Sequence, residues 1–273
     1  MAHPVNPSMP QATPQSGTVF LMYHELELPG RGLCLPGAGY SRYVVSEAGF
    51  RQQMQFLRKN GWQGLSLTQA LLYSPAKNVA ITFDDGSETD LLCAAPILKE
   101  LGFGATFFVV AGWVGKPGYL SPGQLRELCD LGFEIGCHSA THPYLTDLDD
   151  QQLHEETAGA KSLLEQIAGR AVNHFSCPGG RWDRRSLKAV KTAQFESMST
   201  SRTGVNSSRT DRFMLNRIPV LQNTSLEALG RICRGEGFFG TRVREAARGV
   251  AARLLGNAAY DTLRGWLLDR ERT

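Results

Sequence analysis

The chain has 273 residues, 42% hydrophobic and 20% charged, enough to bury one full core and within the size range of a single barrel domain. A net charge of +3 and a pI near 8.5 provide no basic field of the kind nucleic-acid proteins carry, which argues against DNA or RNA as a partner. The cysteines at 34, 93, 129, 137, 177 and 233 form no Cys-x-x-Cys pair, so neither a zinc knuckle nor a dense disulfide framework is expected; they read as reduced core thiols.

Met1 to Gly17 is rich in Pro, Gln and Ser with no apolar run, and reads as a disordered arm, not as a secretory signal or anchor. No apolar stretch reaches the length of a membrane span, so a cytoplasmic address is expected. Thr18 to Tyr23 is a continuous apolar strand ending in His24. Gly30 to Tyr43 is an irregular glycine and proline loop, placed to cap a groove. Ser46 caps a helix through Asn60, with Phe50, Met54 and Leu57 on one face and Gly61 as its stop. Leu65 to Leu72 makes a short strand and helix.

Asn78 to Phe83 follows as a strand, with Val79, Ile81 and Phe83 alternating with Ala80 and Thr82. It ends in Asp84, Asp85 and Gly86. Adjacent residues of extended chain point to opposite sides, so the two carboxylates share one environment only if the backbone turns, which Gly86 permits. One carboxylate is then available to a metal and the other to a proton from water; the plain alternative is a solvated turn.

Thr89 to Leu101 reads as a helix closed by Gly102, Ala105 to Val110 as a buried strand, and Ser121-Pro122 as the start of a helix through Asp130. Phe133, Ile135 and Cys137 alternate as in a strand, with His138 and His142 after it. Two imidazoles four residues apart reach one cation if the segment coils through a helical turn. With a carboxylate they make a nitrogen and oxygen shell of three ligands with an open position, as catalytic zinc is commonly held. Leu148 to Ala168 is a long amphipathic helix carrying His154 on its polar face. His174 opens a further strand, a helix starts at Asp183, another strand lies near Ser197, and Asn216 to Leu221 is the last.

On these motifs the sequence resembles the polysaccharide deacetylases of carbohydrate esterase family four, which share the nodulation-type deacetylase domain. TFDDG at Thr82 to Gly86 is similar to the first family motif and HSATH at His138 to His142 to the second. FSCPGG at Phe175 to Gly180 resembles the third, and the likeness covers Thr18 to Val220. It implies Asp84 as general base, and Asp85, His138 and His142 as ligands of a divalent metal, zinc above others. Cys177, Pro178, Gly179 and Gly180 would form one groove wall, and the substrate would be an acetylated sugar or oligosaccharide. The repeated strand-helix units fit a parallel sheet, and the resemblance selects a distorted or incomplete β/α barrel. Catalytic groups would then gather at the strands' carboxyl ends.

Two departures stand out. Many family members carry an Arg in the third motif to hold the base, where this chain has Ser176 and Cys177; Arg181, just after the Pro-Gly-Gly turn, is the candidate replacement. Many also end in a Leu-x-His motif that supplies the general acid, whereas no His follows His174. His24 is the candidate acid, since its strand ends on the catalytic face and imidazole titrates near neutral pH. The same site would serve amide hydrolysis on a non-sugar substrate, and a sugar-binding protein without turnover is the reading from another class.

From Ser225 onward the chain carries nine Arg against six acids, an excess of three equal to the whole net charge. Phe239, Val243, Ala246, Val250 and Leu254 form one stripe, with Arg244, Glu245 and Arg248 away from it, and Tyr260, Leu263 and Leu267 continue in another. This suggests C-terminal amphipathic helices over 223–273, with 238–272 suited to peripheral contact with an anionic inner membrane face or to packing beneath the barrel.

Overall fold

The computed structural model describes residues 17–35, 37–72, 77–238, 240–243, 245, 256–257, 259 and 262. Residues 1–16 of the arm expected over 1–17, and Phe239, Arg244, Ala246, Arg248, Val250, Leu254, Tyr260, Leu263 and Leu267, lie outside them. Among the described residues no helix is long and apolar enough to cross a membrane.

In chain order the elements are β1 (Val19–Tyr23), β2 (Leu26–Glu27), α1 (Ala38–Ser41), β3 (Val45–Ser46), α2 (Glu47–Lys59), β4 (Gln63–Leu65), α3 (Leu67–Leu72) and β5 (Asn78–Phe83). After these come α4 (Ala95–Leu101), β6 (Thr106–Val109), α5 (Pro122–Asp130), β7 (Glu134–Cys137), α6 (Asp150–His154), α7 (Ala160–Ala168) and β8 (His174–Ser176). The described elements end with α8 (Arg184–Thr192), β9 (Ser197–Ser199), β10 (Ile218–Pro219) and α9 (Leu226–Cys233).

The main sheet is parallel in the order β10-β1-β5-β6-β7-β8-β9. Because β1 pairs along the length of β5, from Val19↔Val79 to Tyr23↔Phe83, the other edge of β5 is shared: β4 takes its first half and β6 its last two residues. At the far end Ser199 bridges Leu215, and the Thr200 N–H donates to the Leu215 carbonyl at 2.8 Å. The segment entering β10 thus returns to β9 and curls the sheet into an incomplete barrel.

Strand periodicity sorts the side chains. Val79, Ile81 and Phe83 join the large core cluster between sheet and helices, together with Phe50, Met54 and Leu57 of α2, while Ala80 joins Phe20, Leu65, Phe108 and Leu215 in a smaller cluster. Tyr23, Phe83 and Phe107 stack in a row at 5.4 and 4.9 Å between centroids, each contact worth about 0.5–1.5 kcal/mol beyond the area it buries. The caps fall where their residues suggest: Ser46, Ser121 and Asp183 each accept from the backbone three residues on, and Gly102 closes α4 at φ 67°.

Two helix expectations need correction: the helix over 89–101 opens with a π turn at Asp90–Ala94 before α4. The helix over 148–168 is not uniform: a π turn at Glu155–Gly159 separates α6 from α7 and turns Glu156 inward, where it is buried. Leu229 and Cys233 of α9 lie in the main core cluster, and a Cβ on Gly230 would meet Phe56 of α2 at 3.2 Å, so α9 is part of the barrel's outer layer.

Candidate active site

Continuing the alternation of β5 beyond Thr82 brings Asp84 to the same side as Ala80. The turn that reorients its neighbour begins at Asp85 itself, with φ 79°, and continues through Gly86 at φ 78°. For a non-glycine residue this is a sparsely populated conformation, retained only where the surroundings impose it. A Cβ on Gly86 would sit 2.9 Å from a Val109 methyl, a second reason for glycine there.

His138 follows β7 and is anchored by its N–H donating to the Val109 carbonyl at 2.9 Å. Two residues before it, a Cβ on Gly136 would lie 2.3 Å from the Phe108 ring. His142 is not brought round by a helical turn as expected: Ser139 and His142 adopt φ 65° and 67°. The Ser139 Oγ accepts from the His142 N–H at 3.0 Å. The loop is clamped by Glu156, whose carboxylate accepts from the Ala140 and Thr141 N–H groups at 2.7 and 2.9 Å.

Asp85, His138 and His142 offer ligand atoms that all lie within 4.8 Å of one another, and both Nε2 atoms approach Asp85 Oδ1, at 3.7 and 3.5 Å. His138 Nδ1 is 2.8 Å from the Ser176 carbonyl, an acceptor that places the proton on Nδ1 and leaves the Nε2 lone pair toward Asp85. Burial drives the His138 imidazole down to about 3, against the pull of Asp84, and lowers His142 as well. Both are therefore neutral, the form that coordinates. Two imidazole nitrogens and one carboxylate oxygen fit a zinc-type divalent cation with a position left open.

Asp84 is held differently. Arg217, fully buried, donates from Nη1 to Asp84 Oδ1 at 2.6 Å and from Nη2 to Oδ2 at 2.8 Å. Its Nη2 also donates to Ser176 Oγ at 2.7 Å and its Nε to the Thr200 carbonyl at 3.2 Å. Burial would raise the Asp84 carboxyl, but the Arg217 charge, with His138 and the hydrogen bonds, outweighs it and keeps the group well below the carboxylate range. Asp85, without such a partner, is pushed up to about 6 by burial, with His24 opposing and Asp84 and Glu25 adding. One carboxylate is thus kept ionised beside a second whose ionisation burial opposes.

The contact with Asp84 suggested for Arg181 is made by Arg217 instead. Arg181 instead lies over the Tyr144 ring at 3.9 Å and hydrogen-bonds Asn257. Ser176 links Arg217 and Asp84. Two of the four expected groove residues also need correction: Cys177 belongs to the core cluster, its Sγ 3.1 Å from the Arg181 carbonyl, and Pro178 is buried. Gly179 and Gly180 do reach the surface, at φ 59° and 68°, packed so closely on Tyr144 and Ser201 that a Cβ would clash at 2.5 and 2.6 Å.

His24 is partly exposed just past β1, near enough to Asp84 and Asp85 for its charge to lower both. His174 sits at the opposite end of the sheet, buried, with Nδ1 2.8 Å from Ser197 Oγ and Nε2 2.8 Å from Thr68 Oγ1, and His154 is exposed on its helix. Neither belongs to the site.

A curled parallel sheet that gathers Asp84, its buried guanidinium partner and the Asp85, His138 and His142 group at one end is the arrangement of an α/β protein with its site at the strands' carboxyl ends. Known proteins agree. Residues 73–198 match the polysaccharide deacetylase family model. YxkH of Bacillus subtilis, which carries a provisional polysaccharide deacetylase name, is 30% identical over 216 residues, 77% of this chain and 74% of that one. A chitooligosaccharide deacetylase from Azorhizobium caulinodans is 35% identical over 129 residues, 45% of this chain and 58% of its own. The structure of the Streptococcus pyogenes deacetylase PplD in complex with acetate superposes with a TM-score of 0.70 at 25% identity, covering 80% of this chain and 98% of that one. The chain belongs to the polysaccharide deacetylase family.

Proposed function

We propose that this chain is a metal-dependent deacetylase that hydrolyses the N-acetyl group of an amino sugar in an oligosaccharide or polysaccharide precursor, O-acetyl groups being the lesser substrate. The observation that carries this reading is the division of labour between neighbouring carboxylates: Asp84 ionised by Arg217, Asp85 grouped with His138 and His142. Asp85, His138 and His142 would hold the cation, with Zn2+ favoured by the donor set. When bound, such an ion supplies carbonyl polarisation and a water of lowered pKa.

Asp84 takes the proton from the attacking water; Arg217 and Ser176 fix its two oxygens so that the basic lone pair is aimed and not free to rotate away. His24 gives a proton to the departing sugar nitrogen, so that acetic acid and a neutral amine leave from one amide and one water, and the proton taken by Asp84 replaces the one His24 gave. Gly179 and Gly180 form the exposed part of the groove wall, where the lack of side chains lets a sugar approach the backbone. The name of the Azorhizobium relative supports an N-acetylated oligosaccharide as the substrate class.

The test is acetate release from a panel of N- and O-acetylated sugars and simple amides, with and without a chelator. Release from N-acetylated sugars that stops with chelation supports the reading. Release from simple amides alone would make the chain a non-sugar amidase, and sugar binding without release would make it a binding protein of this fold.

A further inference from the structure

His24 Nδ1 is buried and has no hydrogen-bond partner. An acid–base histidine is commonly oriented through the nitrogen that does not face substrate, so another contact must hold this ring. The small parallel ladder of β2 and β3 brings one to it. Leu26 pairs with Val45 and Glu27 with Ser46; counting back two residues on each side brings His24 level with Tyr43. Their ring centroids lie 4.8 Å apart at 38°, within the range of favourable aromatic pairs.

The loop that carries Tyr43 is itself fastened to the residue after His24. Glu25, fully buried, accepts from the Cys34 N–H at 2.9 Å and the Tyr40 hydroxyl at 2.8 Å and pairs with Arg31. Arg31 also binds Glu88 and the Gly118 carbonyl. On the far side the Gln222 N–H donates to the Arg42 carbonyl at 2.8 Å, and the Arg42 guanidinium lies 5.5 Å from the Tyr43 ring. Both ends of the Tyr43 stretch are therefore fixed relative to His24, and the two partly exposed rings meet where the first strand opens onto the catalytic face.

We infer that Tyr43 is the positioning residue of His24, holding the imidazole by ring stacking so that Nε2 meets the leaving group. This rests on the reading of His24 as the acid. The experiment compares Tyr43→Phe, Tyr43→Leu and Tyr43→Ala, each alone and with His24→Ala, on an N-acetylated oligosaccharide and on an aryl acetate, whose phenolate departs without a proton. Loss of the ring in the Leu and Ala variants should lower kcat on the amide about tenfold or more, with KM and bound metal little changed and a smaller loss on the ester. Tyr43→Phe should stay within about threefold, since stacking needs the ring and not the hydroxyl. In the His24→Ala background, loss of the ring should cost nothing further. By NMR, the ring-current shift on the His24 protons should collapse in Tyr43→Leu and persist in Tyr43→Phe. Equal losses on both substrates, additive losses with His24→Ala, or an unchanged His24 shift would overturn the inference. Failure of the acid assignment would show separately, as a His24→Ala variant that loses amide and ester turnover alike.

Discussion

Arg217→Met keeps an unbranched apolar stem while removing the guanidinium that serves Asp84, Ser176 and Thr200. Asp84 is only 3% exposed, and breaking a buried pair from one side typically costs about 3–5 kcal/mol, because the remaining charge stays out of water. At roughly 2–4 °C per kcal/mol for a domain of this size, the midpoint of thermal unfolding should fall on the order of 10 °C. Activity should change in a defined direction as well. With Arg217 present the depressed Asp84 carboxyl contributes stability above its ordinary pKa of 3.8, lost as pH falls. Without it burial loses its main opponent and the carboxyl rises, so the acid limb of kcat/KM should move upward by about 1–3 pH units. Adding Asp84→Asn to Arg217→Met should recover much of the stability and none of the turnover, since no buried charge is then left alone. Arg217→Lys, with one charge but no fork, should fall between. An unmoved acid limb in a folded, metal-replete Arg217→Met protein would refute the assignment.

Asp84→Asn in the otherwise unchanged protein should keep the cation and lose turnover by roughly a hundredfold or more; near-normal turnover with metal bound would remove Asp84 from its role. The metal-free protein should show the opposite pH linkage at Asp85. A carboxyl raised from 3.8 to about 6 contributes stability that is complete below pH 3.8 and is lost as pH rises through 6, about 3 kcal/mol in all. Thermal unfolding of wild type against Asp85→Asn from pH 4 to 7 should show wild type losing ground, with zinc reversing the trend at pH 7; a constant difference would contradict it.

Much of the fold is written in local pattern. The alternation of Val79, Ile81 and Phe83, the caps at Ser46, Ser121 and Asp183, and the stop at Gly102 each depend on residues within one turn or strand, so they are legible without tertiary knowledge. The two motifs carrying Asp84, Asp85, His138 and His142 are local in the same way. Arg217 is not: it stands 133 residues from Asp84, and only the return of Leu215 to β9 brings it into the barrel. Nearness to the third motif pointed to Arg181, but Tyr144 and Asn257 claim that side chain. Glu156 was equally hidden, since a π turn sets its direction and an amphipathic pattern read at helical spacing gives a π turn no signature. The left-handed backbone at Asp85, Ser139 and His142 could not be read from residue types that seldom adopt it. The compositional change after Ser225 marked a change in charge, while packing continued through α9.

The most direct measurement is a titration of the metal-stripped protein with Zn2+, following bound metal, acetate and free amine together on an N-acetylated oligosaccharide. Turnover should rise linearly to one equivalent per chain, with amine equal to acetate, and Asp85→Ala, His138→Ala and His142→Ala should neither retain the cation nor turn over while keeping the fold. Full turnover in protein stripped of metal, or stoichiometric metal retained by all three variants, would contradict the account.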